Sequence, residues 1–415
     1  MHIVVINRWP RFADGRRWDH ELSRFEEFID HDRHQVSYVV DPVGATGVLA
    51  DRSKIARLVE IDDVNDFAVL CQAVRDIAEQ VGPIDQLVAL SEFTLAIAAE
   101  VRAALDIPGP RPEEVAVYRN KLRMKELAAQ AGIRVPRFTP CRDVDSAVAF
   151  ARSVGYPLIL KPLYGAASIG VHRVDDEPTL VSLLKRIDPA DHELEEFIDG
   201  AIYHVDGFAD EESRIPFQVV SRYINDCLAY EADGAPLGSV VVQSSGLRDR
   251  IEEFARRCVA ALRMRSMPFH LELFVTKAEK LVFLEIAGRI GGAEVPYLTH
   301  RLFGVNLCQV WLRALCGEPV ELPAKTADPS GGWLIIPKPK RLPARVVSVT
   351  SMRDAFPSVW RELVPHPGEV LQPGGSYDAL HSGRFILLGD DEAAVEADIR
   401  KIISNFRIET VPVSA

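Results

Sequence analysis

The pattern of apolar and polar positions at the start of the chain predicts alternating strands and helices. Residues 2–6, 35–40 and 86–90 are short apolar runs typical of buried strands. Residues 66–80 and 91–105 have the periodicity of amphipathic helices, with Ser91 as the expected N-cap of the second helix. Because strands that alternate with helices are typical of a parallel sheet, we expect a small α/β domain that ends near residue 112.

The loop after the first strand argues against one common use of such a domain. Its sequence, Asn7-Arg-Trp-Pro-Arg-Phe12, lacks the glycines with which dinucleotide-binding folds approach a pyrophosphate. We therefore do not expect a nicotinamide or flavin cofactor. The cluster Pro108-Gly-Pro-Arg-Pro112 interrupts regular structure and predicts the end of the domain.

A basic segment follows this boundary. Residues 113–131 are predicted to form one helix, and a second helix is predicted over residues 143–153. The first helix carries four basic residues, for which a solvated basic face is the simplest interpretation: Arg119, Lys121, Arg123 and Lys125.

A lysine and a loop of small residues then come together. The apolar run 158–160 has a proline on either side, which limits the strand and fixes the direction in which Lys161 leaves it. The loop 165–170 reads Gly-Ala-Ala-Ser-Ile-Gly, so its main-chain N–H groups and the Ser168 hydroxyl can contact phosphate oxygens. Lysine and loop together indicate a phosphate clamp, although a buried strand followed by a flexible turn explains the same residues.

Two glutamates are expected to face each other in a β-hairpin. The runs 269–276 and 281–286 are joined by a polar four-residue loop. In simple register Thr276 faces Leu281, which places Glu272 opposite Glu285. Like charges in such a pair repel each other, so a shared cation such as Mg²⁺ would stabilise them. The alternative is an exposed sheet face with both carboxylates in water, and a bulge would break the register.

Other segments complete the candidate chemistry. Residues 194–200 are predicted to be a strand ended by a turn at Asp199-Gly200, whose main chain could contact the edge of a purine. Arg289, in Gly288-Arg-Ile-Gly-Gly292, is suited to bind phosphate oxygens bidentately, with a surface arginine as the alternative. Residues 299–315 are predicted to be one helix, and the residues after 330 an α/β lobe without evident chemistry, with turns at Gly368 and Gly374-Gly375.

Composition narrows the class of protein. The 415 residues are 47% hydrophobic and 26% charged, as in an ordinary globular protein of several domains. The net charge of −12 argues against a general surface for nucleic acid or anionic membrane. The six cysteines form no CxxC pair, and neither a signal peptide nor a long apolar run is evident, so we expect reduced thiols and a cytoplasmic location.

Taken in order, these motifs resemble those of the ATP-grasp superfamily, and most closely its carboxylate–amine ligases, which include amino-acid and dipeptide ligases. The resemblance covers about residues 1–330 and rests on Lys121 in Arg-Asn-Lys, Lys161 in Leu-Lys-Pro, the 165–170 loop, residues 195–200, Glu272 and residues 285–292. It implies an α/β (α+β) ATP-grasp fold in four parts: a Rossmann-like pre-grasp domain (1–112), linker helices with a lid subdomain (113–200), a central antiparallel-sheet domain (201–330) and a C-terminal α/β lobe (331–415).

The resemblance also implies a role for each candidate residue. ATP would lie between two antiparallel sheets, with Lys121 and Lys161 on its α- and β-phosphates and Ser168 in the loop over the γ-phosphate. The main chain at Glu196 and Ile198 would hydrogen-bond adenine, and Glu195 and Phe197 would belong to the same cofactor-binding segment. Glu272 and Glu285 would ligate Mg²⁺ or Mn²⁺, while Arg289, with Lys161, would act on the transferred phosphoryl group. A substrate carboxylate would attack the γ-phosphate, and an amine would capture the acyl phosphate.

Two departures from the family pattern limit these expectations. Ile202 replaces a glutamate that often holds the ribose, which leaves Tyr203, His204 and Asp206 as candidates, and Ala287 replaces an asparagine that often ligates a metal. The expected partners are a small-molecule acid and an amine, without nucleic acid or membrane, and a homodimer is one option. The alternatives are another ATP-grasp chemistry, such as a biotin or bicarbonate carboxylase or a purine-pathway enzyme, and a non-catalytic ATP-binding regulatory protein.

Overall fold

The N-terminal part of the chain is a parallel four-stranded sheet with helices on both faces. The computed structural model describes residues 1–12, 22–165, 168–225, 227–320, 322–323, 328–374 and 381–413. The strand order is β3-β2-β1-β4, with β1 His2–Asn7, β2 Gln35–Val40, β3 Ile55–Glu60 and β4 Gln86–Ala89. The helices are α1 Phe25–Phe28, α2 Pro42–Ala45, α3 Phe67–Val81 and α4 Leu95–Leu105. Alternate residues of β1 enter two different apolar cores, which explains why the whole strand is apolar.

The start of α4 differs from the prediction. Ser91 is not its N-cap, because residues 91–94 form a turn in which the Thr94 N–H donates to the Ser91 carbonyl at 2.9 Å, and the helix begins at Leu95. The turn leaves Glu92 outside the helix, at the carboxyl end of β4.

The predicted helix 113–131 is also wrong as a single element, since the chain forms two short helices, α5 Pro112–Ala116 and α6 Lys121–Gln130. Asn120 caps the second by accepting a hydrogen bond from the Arg123 N–H. A small antiparallel sheet of order β5-β8-β6-β7 follows, made of β5 Phe138–Pro140, β6 Leu158–Pro162, β7 His172–Val174 and β8 His192–Glu196. Helices α7 Val144–Val154 and α8 Glu177–Leu184 pack on it.

Eight of the remaining strands form one large antiparallel sheet of order β13-β12-β9-β10-β11-β14-β18-β16. These strands are β9 Gly200–Ala209, β10 Phe217–Tyr223, β11 Leu237–Val241, β12 Met267–Thr276, β13 Leu281–Ala287, β14 Ser330–Ile336, β16 Val359–Leu363 and β18 Gly383–Gly389. A three-stranded sheet contains β15 Ala344–Val349, β17 Val370–Leu371 and β19 Ile408–Pro412. The helices are α9 Cys227–Asp233, α10 Gly246–Ala261, α11 Val295–Phe303, α12 Leu307–Leu315 and α13 Glu392–Asn405.

Several predicted bounds shift in this part of the chain. The predicted helix 299–315 is two helices, because Gly304 adopts a left-handed conformation between α11 and α12. The predicted strand 194–200 is β8 from His192 to Glu196, while Gly200 already belongs to β9. One sheet runs across residue 330, since β14 pairs with β11 on one side and β18 on the other. Ala166, Ala167 and Gly375 lie outside the described residues.

The predicted solvated face of residues 119–125 does not form as a whole, because Lys121 and Lys125 are buried. Lys125 is completely buried and donates to the carboxylates of Glu193 and Glu195 in β8, the second at 2.7 Å. Arg123, on the same helix, is exposed and pairs with Glu126 at 3.3 Å. The buried lysine therefore ties α6 to the small sheet.

Replacing Lys125 with alanine should destabilise the protein strongly, because it leaves two buried carboxylates without their shared cation. We expect the free energy of unfolding to fall by about 3 kcal/mol or more. The matched variant Arg123→Ala should change it by less than about 1 kcal/mol, since an exposed ion pair contributes little. Urea denaturation of both variants measures this difference, and equal losses would contradict the structural role given to Lys125.

Candidate active site

A cleft separates the small antiparallel sheet from the large one. Its empty volume is about 880 Å³ with the open mouth included. The predicted site residues that line it are Lys121, Lys161, Ser168, Glu195, Glu196, Phe197, Ile198, Glu272 and Glu285. Ile202, Cys227 and Leu228 add apolar or weakly polar surface, which sequence reasoning did not assign to the site. The structure thus brings most of the predicted residues into one cavity.

Two buried lysines lie in this cleft. Lys121 is the first residue of α6, and its Nζ lies 3.2 Å from Glu285 Oε2 and 3.1 Å from the carbonyl oxygen of Gly165. Lys161, in β6, has its Nζ 2.7 Å from Glu195 Oε1. The Lys121 ammonium group is therefore held by a carboxylate of β13, and the Lys161 ammonium group by a carboxylate of β8.

Glu272 and Glu285 are cross-strand partners, as predicted, although the path to this register differs. At the turn Val275, rather than Thr276, pairs with Leu281, so a simple count from there would place Glu272 opposite residue 284. A bulge between Glu272 and Leu273 adds one residue to β13 and restores the pair. The Glu272 carboxylate also accepts a hydrogen bond from the Tyr223 hydroxyl at 2.8 Å.

Opposite charges in the cleft shift each other's pKa values. Burial alone would raise the pKa of Glu285, but the ammonium groups of Lys121 and Lys161 lower it to about 2. Burial would likewise lower the pKa of Lys161, but Glu195, Glu193 and Glu285 raise it above its ordinary value. Glu285 and Lys161 consequently stay charged across the neutral pH range.

The predicted adenine segment lines the cleft, and its side chains have roles of their own. Glu195 is buried between Lys125 and Lys161, so its carboxylate balances both cations. The Glu196 N–H already donates to the Arg137 carbonyl at 2.8 Å, which leaves the Glu196 carbonyl as its main-chain group for a ligand. Residues 197–199 connect β8 to β9 outside regular structure.

His204, one of the three candidates for the ribose contact, lies outside the cleft. Its side chain is 1% exposed and does not line the cleft. Nδ1 lies 2.6 Å from Asp206 Oδ2, and Nε2 lies 2.8 Å from Ser239 Oγ, so both ring nitrogens are occupied. Tyr203 and Asp206, the other ribose candidates, are also buried and do not line the cleft.

Arg289 lies beside the cleft, in an ion-pair network that the sequence did not predict. Its Nε donates to Glu92 Oε2 at 2.8 Å, and its Nη1 donates to the Ile290 carbonyl at 2.8 Å. Glu92 also pairs with Arg119. In open parallel sheets, ligands bind at the carboxyl ends of the strands. The position of Glu92 just after β4 is therefore the sequence feature that indicates a role for it.

The comparisons with known proteins identify the domain that holds this cleft. Residues 154–296 match the model of the ATP-grasp domain family. The L-arginine-specific L-amino acid ligase of Bacillus subtilis is 28% identical over 292 residues, which are 67% of this chain and 68% of that protein. The alanine–anticapsin ligase of Bacillus subtilis is 24% identical over 61% of this chain, and the match spans 58% of that relative's length.

A solved structure extends the likeness to the whole chain. The L-amino acid ligase from Bacillus licheniformis superposes with a TM-score of 0.74 and 20% identity, and the match covers 100% of this chain and 99% of that one. This likeness, together with the two antiparallel sheets around the cleft, confirms the predicted ATP-grasp fold. Residues 154–296 of this chain are therefore an ATP-grasp domain.

Proposed function

We propose that the protein is an ATP-dependent carboxylate–amine ligase that forms an acyl phosphate and releases ADP and phosphate. The observation that carries this proposal is the convergence of Lys121, Lys161, Glu272 and Glu285 in one cleft between two sheets. Because the relatives described above are named as amino acid ligases, we take the acid to be an amino acid or a related small acid.

ATP would lie along the cleft from the segment that connects the sheets to the Lys121 helix. The Glu196 carbonyl and the main chain of Ile198 would contact adenine, while Phe197 and Ile202 would add apolar surface around it. Lys121 and Lys161 would bind the α- and β-phosphates. Ser168, which lines the cleft with a positive φ of 58°, would place its hydroxyl near the γ-phosphate.

The paired carboxylates fit a hard divalent cation. Carboxylate oxygens are the ligands that Mg²⁺ prefers, and Mg²⁺ commonly takes one or two of them together with phosphates and water. Glu272 and Glu285 supply that number, and the third position, Ala287, supplies no ligand. Bound Mg²⁺ or Mn²⁺ would neutralise phosphate charge, and the lysines would do the same from the opposite side.

The reaction requires positioning rather than a protein nucleophile. A substrate carboxylate oxygen attacks the γ-phosphorus and ADP leaves, after which the amine lone pair attacks the acyl carbon and phosphate leaves with loss of an amine proton. We assign Arg289 to the oxygens of the transferred phosphoryl group, which requires that it exchange its contact with Glu92. Burial raises the pKa of the Cys308 and Cys316 thiols to about 11, so neither is suited to act as a thiolate.

The coarser features of the chain accord with this proposal. All six cysteines are free thiols, and among the described helices none combines the length and apolar character needed to cross a bilayer. We propose a cytoplasmic enzyme, and we keep the four-part division at residues 112, 200 and 330 as a proposal. A homodimer stays one option within this proposal.

The first prediction concerns the products. With Mg-ATP, an amino acid that serves as the acid and a second amino acid that serves as the amine, the protein should release ADP and phosphate in equal amounts. Release should be much slower when either substrate is omitted, because the acyl phosphate then has no acceptor or does not form. A screen of amino-acid pairs by phosphate release tests this, and AMP with pyrophosphate as products would contradict the proposal.

The second prediction concerns Glu285. Glu285→Gln keeps the shape of the side chain and removes its charge, so we expect turnover to fall by about two orders of magnitude. The Mg²⁺ concentration for half-maximal turnover should rise by about tenfold or more. Glu279→Gln, in the loop of the same hairpin, is the matched control, because Glu279 is exposed and pairs only with the surface residue Arg250 among the contacts described here. An unchanged Mg²⁺ dependence in Glu285→Gln would remove Glu285 from the metal site.

A further inference from the structure

A buried chain of polar side chains lies next to Glu272. It runs from Ser239 in β11 through His204 and Asp206 in β9 to His270 and Glu272 in β12. In the pairing of β9 with β12, His204 is opposite Glu272 and Asp206 is opposite His270. Alternate residues of a strand share a face, so these four side chains lie on the same face of the large sheet.

Asp206 is the centre of this row of polar side chains. Its Oδ2 accepts from His204 Nδ1 at 2.6 Å, and its Oδ1 accepts from His270 Nδ1 at 2.8 Å. The side chain of Asp206 is 1% exposed, so both hydrogen bonds are protected from water. One carboxylate therefore fixes the orientation of two imidazole rings.

His204 is also fixed at its other nitrogen. Ser239 Oγ lies 2.8 Å from His204 Nε2 and 3.1 Å from the Arg222 carbonyl oxygen, so this hydroxyl holds the second side of the His204 ring. Tyr223 packs against the His204 ring with centroids 4.8 Å apart. The His204 end of this row of polar side chains is therefore anchored in β10 and β11.

His270 turns its remaining nitrogen toward the predicted metal ligand. Because Nδ1 is occupied by Asp206, Nε2 faces Glu272 Oε1 at 3.5 Å. The same oxygen accepts from the Tyr223 hydroxyl at 2.8 Å. Glu272 is thus approached by two groups that are themselves held in place by the Asp206 network.

The loop that carries Arg289 packs on the same cluster. A Cβ atom at Gly291 would lie 2.2 Å from Asp206 Oδ1 and 3.1 Å from His270 Nδ1. Only glycine allows the backbone to come this close, so the loop lies directly against Asp206 and His270 as well as against Val295.

A metal site is an alternative interpretation of His204, Asp206 and His270, since their ligand atoms lie within 4.8 Å of one another. The separations of 2.6 and 2.8 Å are those of hydrogen bonds. Ligands about 2.05 Å from a tetrahedral metal would be about 3.3 Å apart. The distances therefore favour a hydrogen-bonded cluster.

We propose that His204, Asp206 and His270 form a positioning cluster that holds the Glu272 carboxylate and the Arg289 loop in register with each other. His270 acts on Glu272 through its Nε2, and Asp206 acts on the loop through its contact with Gly291. This inference rests on the proposed function in one respect, since it takes Glu272 as a metal ligand.

Two substitutions of His270 separate its two contacts. Asn places an amide nitrogen near the position of Nδ1, so His270→Asn keeps the donor to Asp206 and loses the group that faces Glu272. Gln places its amide nitrogen near the position of Nε2, so His270→Gln keeps the group at Glu272. Binding of Mn²⁺ in the presence of a non-hydrolysable ATP analogue, measured by electron paramagnetic resonance, reports on Glu272 without turnover.

We expect His270→Asn to raise the Kd for Mn²⁺ by about tenfold or more, and His270→Gln to raise it by less than about threefold. Tyr223→Phe, which removes the hydroxyl that donates to the same oxygen, should show a non-additive effect in combination with His270→Asn. Asp206→Asn is the second variant if His270→Asn does not fold, and it should weaken Mn²⁺ binding as well. His366→Asn, at an exposed histidine of the C-terminal lobe, is the control and should bind Mn²⁺ like the unmodified protein.

The outcomes distinguish this inference from the proposed function. If Glu272→Gln abolishes Mn²⁺ binding while folded His270→Asn or Asp206→Asn binds it normally, the positioning role is wrong and the metal site stands. Equal losses in His270→Asn and His270→Gln would also overturn the role given to Nε2. If the unmodified protein binds no Mn²⁺ with the ATP analogue, the proposed metal site fails and the inference fails with it.

Discussion

The mutual repulsion of Glu272 and Glu285 is the constraint around which the cleft is organised. Two carboxylates that face each other across a strand pair cost free energy unless cations or donors compensate them. Lys121 approaches Glu285 from α6, and Tyr223 donates to Glu272 from β10. The compensation therefore comes from the linker helix and from the large sheet itself, and the cleft depends on both being in place.

A second set of balanced charges lies behind the first. Lys125 and Lys161 share Glu193 and Glu195, and all four side chains are buried together where α6 meets the small sheet. Such a group is costly to leave incomplete, because each unpaired charge would be desolvated. It gives Lys161 a fixed position before any phosphate arrives.

Local patterns in the sequence identified the elements that carry the chemistry. The strand of Lys161, the hairpin of the two glutamates and the loop of Arg289 each have a short-range signature of apolar alternation, proline or glycine. A simple count along the two strands predicts the correct glutamate pair. The actual register is shifted by one residue at the turn and shifted back by the bulge, so the two departures cancel. Helix bounds were less accessible, because the break before Asn120 and the turn after Ser91 depend on a few local hydrogen bonds.

Contacts between distant parts of the chain could not be predicted in this way. Glu92 meets Arg289 across 197 positions, and Lys125 meets Glu195 across 70. Neither residue has a local pattern that names its partner, and a lysine on a short helix is ordinarily solvated. The burial of His204 also follows from the large sheet as a whole, which the alternation along β9 alone does not fix.

The continuity of the large sheet restricts how the protein can be recombined with its relatives. β14 is hydrogen-bonded to β11 on one edge and to β18 on the other, so the proposed C-terminal lobe shares a sheet with the residues before it. A chimaera joined at residue 330 would have to reproduce the pairing of Leu237 with Ile335 between strands of different parentage. A slip of one residue would turn every side chain of β14 to the opposite face, so the lobes of this enzyme are exchangeable only between parents with the same strand register.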